Sequence, residues 1–173
     1  YLTDIVLEQQ THDIQDFLVK TSILKEFSAA LCDHLLSINH SQEILDYLER
    51  ANLFTFSLDE YGGWYRYHAM FAEMLNNRLN QLGDDIIQDL HHRACAWFRQ
   101  NGRPDLAISH ANAVADYALM ADIIETCAHP TATQFQMAGL VEWIGRLPEE
   151  LVQTRPKLSI FQTLAKINLG RLN

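Results

Sequence analysis

The stretch from Leu53 to Tyr67, LFTFSLDEYGGWYRY, is where the chain leaves a helical period, and it restricts the fold more than any other feature. Phe54, Phe56 and Leu58 alternate, the chain turns through Glu60-Tyr61-Gly62-Gly63, and Trp64, Tyr65 and Tyr67 run back. Two aromatic-rich runs around a Gly-Gly turn predict a β-hairpin, because glycine tolerates the positive φ that a tight turn imposes.

The flanks of this hairpin are helical in spacing. Leu2, Ile5 and Val6 start one stripe, and Ile14, Phe17 and Leu18 predict a second helix reaching about Thr21. TSIL (21–24) breaks the pattern. Phe27, Ala30, Leu31, Leu35 and Leu36 restore it, with Ser28 as N-cap. Ser41 is expected to cap the next helix, where Ile44, Leu45 and Leu48 lie opposite Glu43, Asp46 and Glu49. After the hairpin, Phe71, Met74 or Leu75, Leu79 and Leu82 define an amphipathic helix stopping at Gly83. Helix, helix, hairpin, helix is the order of a winged-helix domain with an extra C-terminal helix, assigned to residues 1–83.

Beyond Gly83-Asp84-Asp85 only helical spacing occurs. Ile87, Leu90, Ala94, Trp97 and Phe98 form one stripe, ended by Asn101-Gly102-Arg103-Pro104. Leu106, Ala107, Ala111 and Val114 form its partner. Tyr117, Met120, Ala121 and Ile124 come next, with a break at His129-Pro130. Phe135, Leu140, Val141, Ile144 and Leu147 run to Pro148, and Leu158, Phe161, Leu164, Ala165 and Leu169 close the chain. FRQNGRPDLA (98–107) has a faint echo in KINLGRLN (166–173). The two Gly-Arg pairs are 68 residues apart, or two periods of 34. Thirty-four residues is the tetratricopeptide period, so residues 84–173 are expected to form tetratricopeptide-like antiparallel helical repeats, cut off at the C-terminus. The fold class is therefore mainly α, a winged helix followed by helical repeats.

Composition supports helices over a turn-rich sandwich, since 173 residues include only 7 Gly and 4 Pro. The net charge of −9 is uneven: residues 1–83 carry 12 acids against 5 Lys or Arg, and residues 84–173 carry 10 against 8. An acidic surface repels phosphate backbones and anionic lipid, so direct nucleic-acid and membrane binding are disfavoured. No apolar run approaches the roughly 18 residues of a membrane span. Cys32, Cys95 and Cys127 are odd in number and lie in helical apolar patterns, which predicts buried thiols in a reducing, cytoplasmic setting. The absence of an initiator Met predicts a piece of a longer protein.

Few residues suggest chemistry. No Gly-rich phosphate loop is present, so the chain alone is expected to hold no nucleotide or other cofactor. His91 and Cys95 share a helix face at i and i+4, near His92 and His110. A zinc site needs three or four ligands at fixed spacing, and the expectation is surface histidines, a core thiol and no metal. No nucleophile elbow accompanies any Ser, Thr or Cys, and Asp84-Asp85 and Glu149-Glu150 belong at solvated helix ends, so no catalytic residues are assigned. The helix at the DNA-recognition position, Ser41–Arg50, carries Glu43, Asp46 and Glu49 against Arg50 alone, which is not the surface of a DNA reader. His68 falls at the start of the helix after the hairpin. Its ring either caps that helix or bonds a group in its own domain, or it joins the free N–H groups there in holding a phosphate oxygen.

FLVKTSIL (17–24), YLERANLF (47–54), WYRYHAMF (64–71) and the run from Leu90 to Ala111 together resemble one family, and WIGRLPEELVQTRPKL (143–158) matches the next segment of that family. The chain is similar to the middle of the MalT-like large ATP-dependent LuxR-family transcription regulators, which are signal-transduction ATPases with numerous domains. The resemblance implies an upstream ATPase core binding ATP or ADP, a winged helix packed on it, a superhelical sensor arm for a small-molecule inducer, and a distant C-terminal DNA reader. It also implies that His68 matches a histidine that contacts the ADP phosphate in related switch ATPases. Ala69-Met70 depart from the Pro or polar residue and Leu frequent after that histidine. The expected function is relay of nucleotide and inducer state between the parent's own ATPase core and sensor arm, without catalysis in this segment. The alternative is a helical-repeat adaptor for a partner protein.

Overall fold

The computed structural model describes residues 2–58, 63–127 and 134–168. The expected turn at Glu60-Tyr61-Gly62, the break at His129-Pro130 and the terminal Gly170-Arg171 lie outside these residues, as do the side chains of Leu2, Phe135 and Ala165. The chain divides into two compact units, Tyr1–Ala94 and Cys95–Asn173.

The first unit opens with α1 (Leu2–Glu8), α2 (His12–Thr21), α3 (Ala29–Leu36) and α4 (Ser41–Arg50). β1 (Thr55–Ser57) and β2 (Tyr65–Tyr67) then pair antiparallel, Thr55 opposite Tyr67 and Ser57 opposite Tyr65, before α5 (Ala69–Leu79). These are the helices and wing of a winged helix. Phe17, Leu18, Leu31, Leu35, Leu45, Leu48, Phe71 and Leu75 make its core, nearly all fully enclosed. Their i, i+3 and i+4 spacing turns one face of each helix inward, and removing that apolar surface from water drives the packing.

Packing overrides the local pattern at several positions. In α1 the inward residue is Leu7, and Ile5 is 54% exposed. Ala30 faces solvent, and Phe27 stands before α3. Phe27 bridges β2 instead, exchanging hydrogen bonds with Tyr65 at 2.9 and 2.8 Å, and so adds a one-residue third strand. Ser28 caps α3 as expected, accepting from the Leu31 N–H at 3.3 Å. Ser41 does not cap α4. It is the first helical residue, its N–H donates to the Asp33 carboxylate at 3.0 Å, and its own hydroxyl is buried without a partner among the described residues. The hairpin alternates with the opposite face inward: Thr55, Tyr65 and Tyr67 are buried, whereas Phe56 and Leu58 look out. Helix α5 ends at Leu79, four residues short of Gly83, and Leu82 is exposed. Gly83 takes a φ of 104°, a conformation that side chains with a Cβ resist, and starts α6 (Asp84–Gln100).

The division between units falls inside α6. Its first eleven residues stay with the first unit, where Leu90 is buried and the Arg93 guanidinium donates to the Leu35 carbonyl at 3.4 Å and the Ser37 hydroxyl at 2.8 Å. The second unit continues with α7 (Pro104–Ala113), α8 (Tyr117–Cys127), α9 (Gln134–Gly145), α10 (Glu149–Thr154) and α11 (Pro156–Asn168). Gly102, at φ 70°, ends α6, and Pro104 opens α7 at the position where its missing N–H is harmless. The most closely packed pairs are α7 with α8 and α9 with α11, so the main partner of α7 is α8 and not α6. Helix α10 is too short for the periodicity to predict. Ala94, Ala107, Ala111, Met120, Ala121, Ile124, Ile144 and Leu158 are buried as the spacing predicts, joined by Ile108 and Ile123. Cys32 and Cys95 are buried, but Cys127 is exposed, contrary to expectation.

Candidate functional site

The site is built by the way β2 hands over to α5. Tyr65 and Tyr67 point inward, so the intervening Arg66 and the following His68 point out. Phe27 packs on Tyr67 at 4.6 Å between ring centroids, and Tyr67 meets Phe71 edge-on at 5.8 Å. The Tyr67 hydroxyl lies 2.7 Å from Thr21 Oγ1, which donates to the Phe17 carbonyl at 2.7 Å. Burial, with Cys32 nearby, pushes the Tyr67 hydroxyl well above the ordinary tyrosine range, against a smaller lowering by the Thr21 bond, so it stays a neutral phenol. Burial likewise pushes the Cys32 thiol up, aided by Asp33.

These anchors hold His68 as the N-cap residue of α5, with φ −59° and ψ 138°. Its N–H donates to the Phe54 carbonyl at 2.8 Å, and its carbonyl accepts from the Ala72 N–H at 2.9 Å. Phe54 itself sits at φ 54°, unusual for a bulky residue, and its ring packs on Phe71 at 5.1 Å. The backbone of His68 is thereby fixed at both ends while its side chain makes no capping bond. The exposed imidazole lies 6.1 Å from the Phe56 ring, tilted by 46°. Beside it are Phe56, 47% exposed, and Met70, 71% exposed. The His68 side chain therefore does not cap α5.

The remaining candidates disperse. Among the described residues no three His, Cys, Asp or Glu are grouped to hold a metal ion. His91 is half-buried, and burial followed by the charge of His92 lowers its pKa. His110 is not a surface residue: it is buried with its ring stacked on Phe98 at 5.5 Å and 13°. Asp84, Asp85, Glu149 and Glu150 occupy the first turns of α6 and α10, where carboxylates offset the helix dipole. On α4, Glu43, Glu49 and Arg50 are exposed, Arg50 Nε is turned back onto the Asp46 carbonyl at 3.0 Å, and Tyr47 donates to Gln10 at 2.8 Å. The recognition-helix face is thus acidic and partly engaged within the domain. No helix is long and apolar enough to cross a membrane among the described residues.

Fold and surface define a winged helix whose recognition face is acidic, followed by packed helices, with a histidine presented at a helix start. Residues 3–86 match the family model described as MalT winged helix domain. Over 171 residues, 99% of the chain is 30% identical to the serine/threonine-protein kinase PknK of Mycobacterium tuberculosis, covering 15% of that protein. Over 162 residues, 94% of the chain is 32% identical to the HTH-type transcriptional regulator MalT of Yersinia enterocolitica, covering 18% of it, and 31% identical to that of Yersinia pestis. The chain therefore spans less than a fifth of these relatives' length.

Proposed function

We propose that this chain is an internal regulatory segment of a large cytoplasmic ATP-dependent transcription regulator. It relays nucleotide and inducer state between an ATPase core and a tetratricopeptide-like sensor arm and performs no catalysis itself. The observation that carries the reading is the presentation of His68. Its backbone is locked by Phe54 and Ala72, its ring is exposed without a capping bond, and it stands at the N-terminus of an eleven-residue helix. A helix start offers free N–H groups and a positive potential, so a phosphate oxygen is the fitting partner. In the intact protein His68 would donate to an ADP phosphate held mainly by the core's own loop, and occupancy of the nucleotide site would be felt through Tyr67 and Thr21 in α2. DNA and inducer would be bound by other parts of the parent. The occurrence of similar segments, 30–32% identical, in a protein kinase and a transcription regulator supports a relay that serves different outputs.

The test is ADP affinity of the intact parent with His68→Ala. Loss of one charge-assisted or neutral hydrogen bond predicts binding weaker by about tenfold, together with altered inducer dependence. Unchanged ADP affinity with unchanged inducer response would sink the assignment. Because the ring is exposed, the same substitution should change the stability of this segment by no more than about 0.5 kcal/mol, so a binding loss cannot be blamed on unfolding.

A further inference from the structure

A groove of 690 Å³ opens in the first unit between α2, α3, the start of α4 and the first turns of α6, away from the wing. Its floor is apolar: Leu35 and Leu90 are buried, Leu36 and Ile44 half-buried, and Ile86 is 39% exposed. Its rim carries four carboxylates, Asp13, Asp16, Asp85 and Asp89. Two are neutralised by neighbours on the same helix, Asp16 by Lys20 at 2.8 Å and Asp89 by Arg93 at 2.8 Å. Asp13 and Asp85 have no ion pair among the described residues. The groove therefore combines a water-exposed apolar strip with an unbalanced negative rim, inside a domain that already carries seven more acids than Lys and Arg over residues 1–83.

We infer that this groove is a docking site for a cationic amphipathic α-helix of a partner protein. The lining comes from helices and their connections, so no unpaired strand edge is available and an extended segment has no backbone partners to gain. A helix can lay a leucine-type stripe on Leu36, Ile44 and Ile86 while Lys or Arg on its flanks reach Asp13 and Asp85. An acidic helix would bring like charges against the rim, and an apolar one would leave the two carboxylates unmatched. The site is separate from the proposed nucleotide contact, because His68, Tyr67 and Thr21 do not line it.

The experiment uses the full chain and a fluorescent amphipathic Leu/Lys helix of about 14 residues, about four turns, with a Leu/Glu helix of the same pattern as counterpart. Anisotropy at low salt should show binding of the Leu/Lys helix alone. Two rim contacts of exposed type predict affinity about fivefold weaker in Asp13→Asn/Asp85→Asn and a further loss at high salt. Ile86→Ser should weaken binding in the same direction, whereas Glu43→Gln/Glu49→Gln on the outer face of α4 should leave it unchanged. All these positions are exposed, and circular dichroism verifies that each variant is folded. Equal losses from the α4 pair would show that general acidity alone attracts the peptide and would overturn the site. So would binding of the Leu/Glu helix, insensitivity to Ile86→Ser, or no binding at all.

Discussion

At the level of single residues, His91 shows how burial gives a histidine a measurable consequence. His91 is half-buried on α6, and its folded-state pKa lies below the ordinary 6.5, first because burial penalises the cation and second because His92 is adjacent. The unfolded chain then takes up a proton near pH 6.5 while the folded chain resists it, so folding is favoured above that pH and loses this contribution as pH falls toward the depressed folded value. Unfolding free energy measured in urea at pH 7.5 and 5.5 should be lower at the acid end, and His91→Gln should reduce that difference. An equal acid loss in the variant would place the sensitivity elsewhere. His68, by contrast, is exposed, and only its neighbours show why. The alternation of Tyr65, Arg66, Tyr67 and His68 is readable from sequence, but which face turns inward is not. Phe56 and Leu58 are more apolar than Thr55, yet Thr55 is the one opposite Tyr67, and the burial of the tyrosines on Phe27 sets the register.

At the level of elements, helix faces are more legible than helix ends. The stripes of α2, α4 and α7 follow from i, i+3 and i+4 spacing, and the core residues Phe17, Leu45, Leu48, Ala107 and Ala111 all belong to them. Ends depend on partners distant in sequence. Ser41 looks like a cap because its type suits one, but the group that satisfies its N–H is Asp33 from the last turns of α3, eight residues earlier. No local window shows that. Asp33→Ala should therefore destabilise the first unit by about 1 kcal/mol, the usual cost of a lost helix cap, while Ser41→Ala should cost much less because its hydroxyl has no partner among the described residues. Chemical denaturation of both variants checks the order. A larger loss from Ser41→Ala would return the capping role to the serine. The bridge at Phe27 and the short helix α10 escape for a related reason, since one residue of strand and six of helix are too short to carry a period.

For the whole molecule the question is where the winged helix stops being self-sufficient. Gly83 looks like the boundary in sequence, because a glycine and two aspartates end one period and begin another. Packing puts the division eleven residues later, since Leu90 and Arg93 on α6 serve the first unit. Leu90 is 4% exposed, and covering such a side chain stabilises by about 1.5–3 kcal/mol. The Arg93 bonds to Leu35 and Ser37 add about 0.5–1.5 kcal/mol, being partly open to water. A chain ending at Gly83 should thus be less stable by about 2–4 kcal/mol than one ending at Gln100, with a smaller urea m-value because less surface is buried. It should also lose the acid-rimmed groove, of which Asp85, Ile86 and Asp89 form one wall. If the two chains unfold at the same urea concentration, α6 contributes nothing to the first unit and the break belongs at Gly83 after all. If they differ as expected, the first three turns of α6 belong to the winged-helix unit and not to the helices that follow.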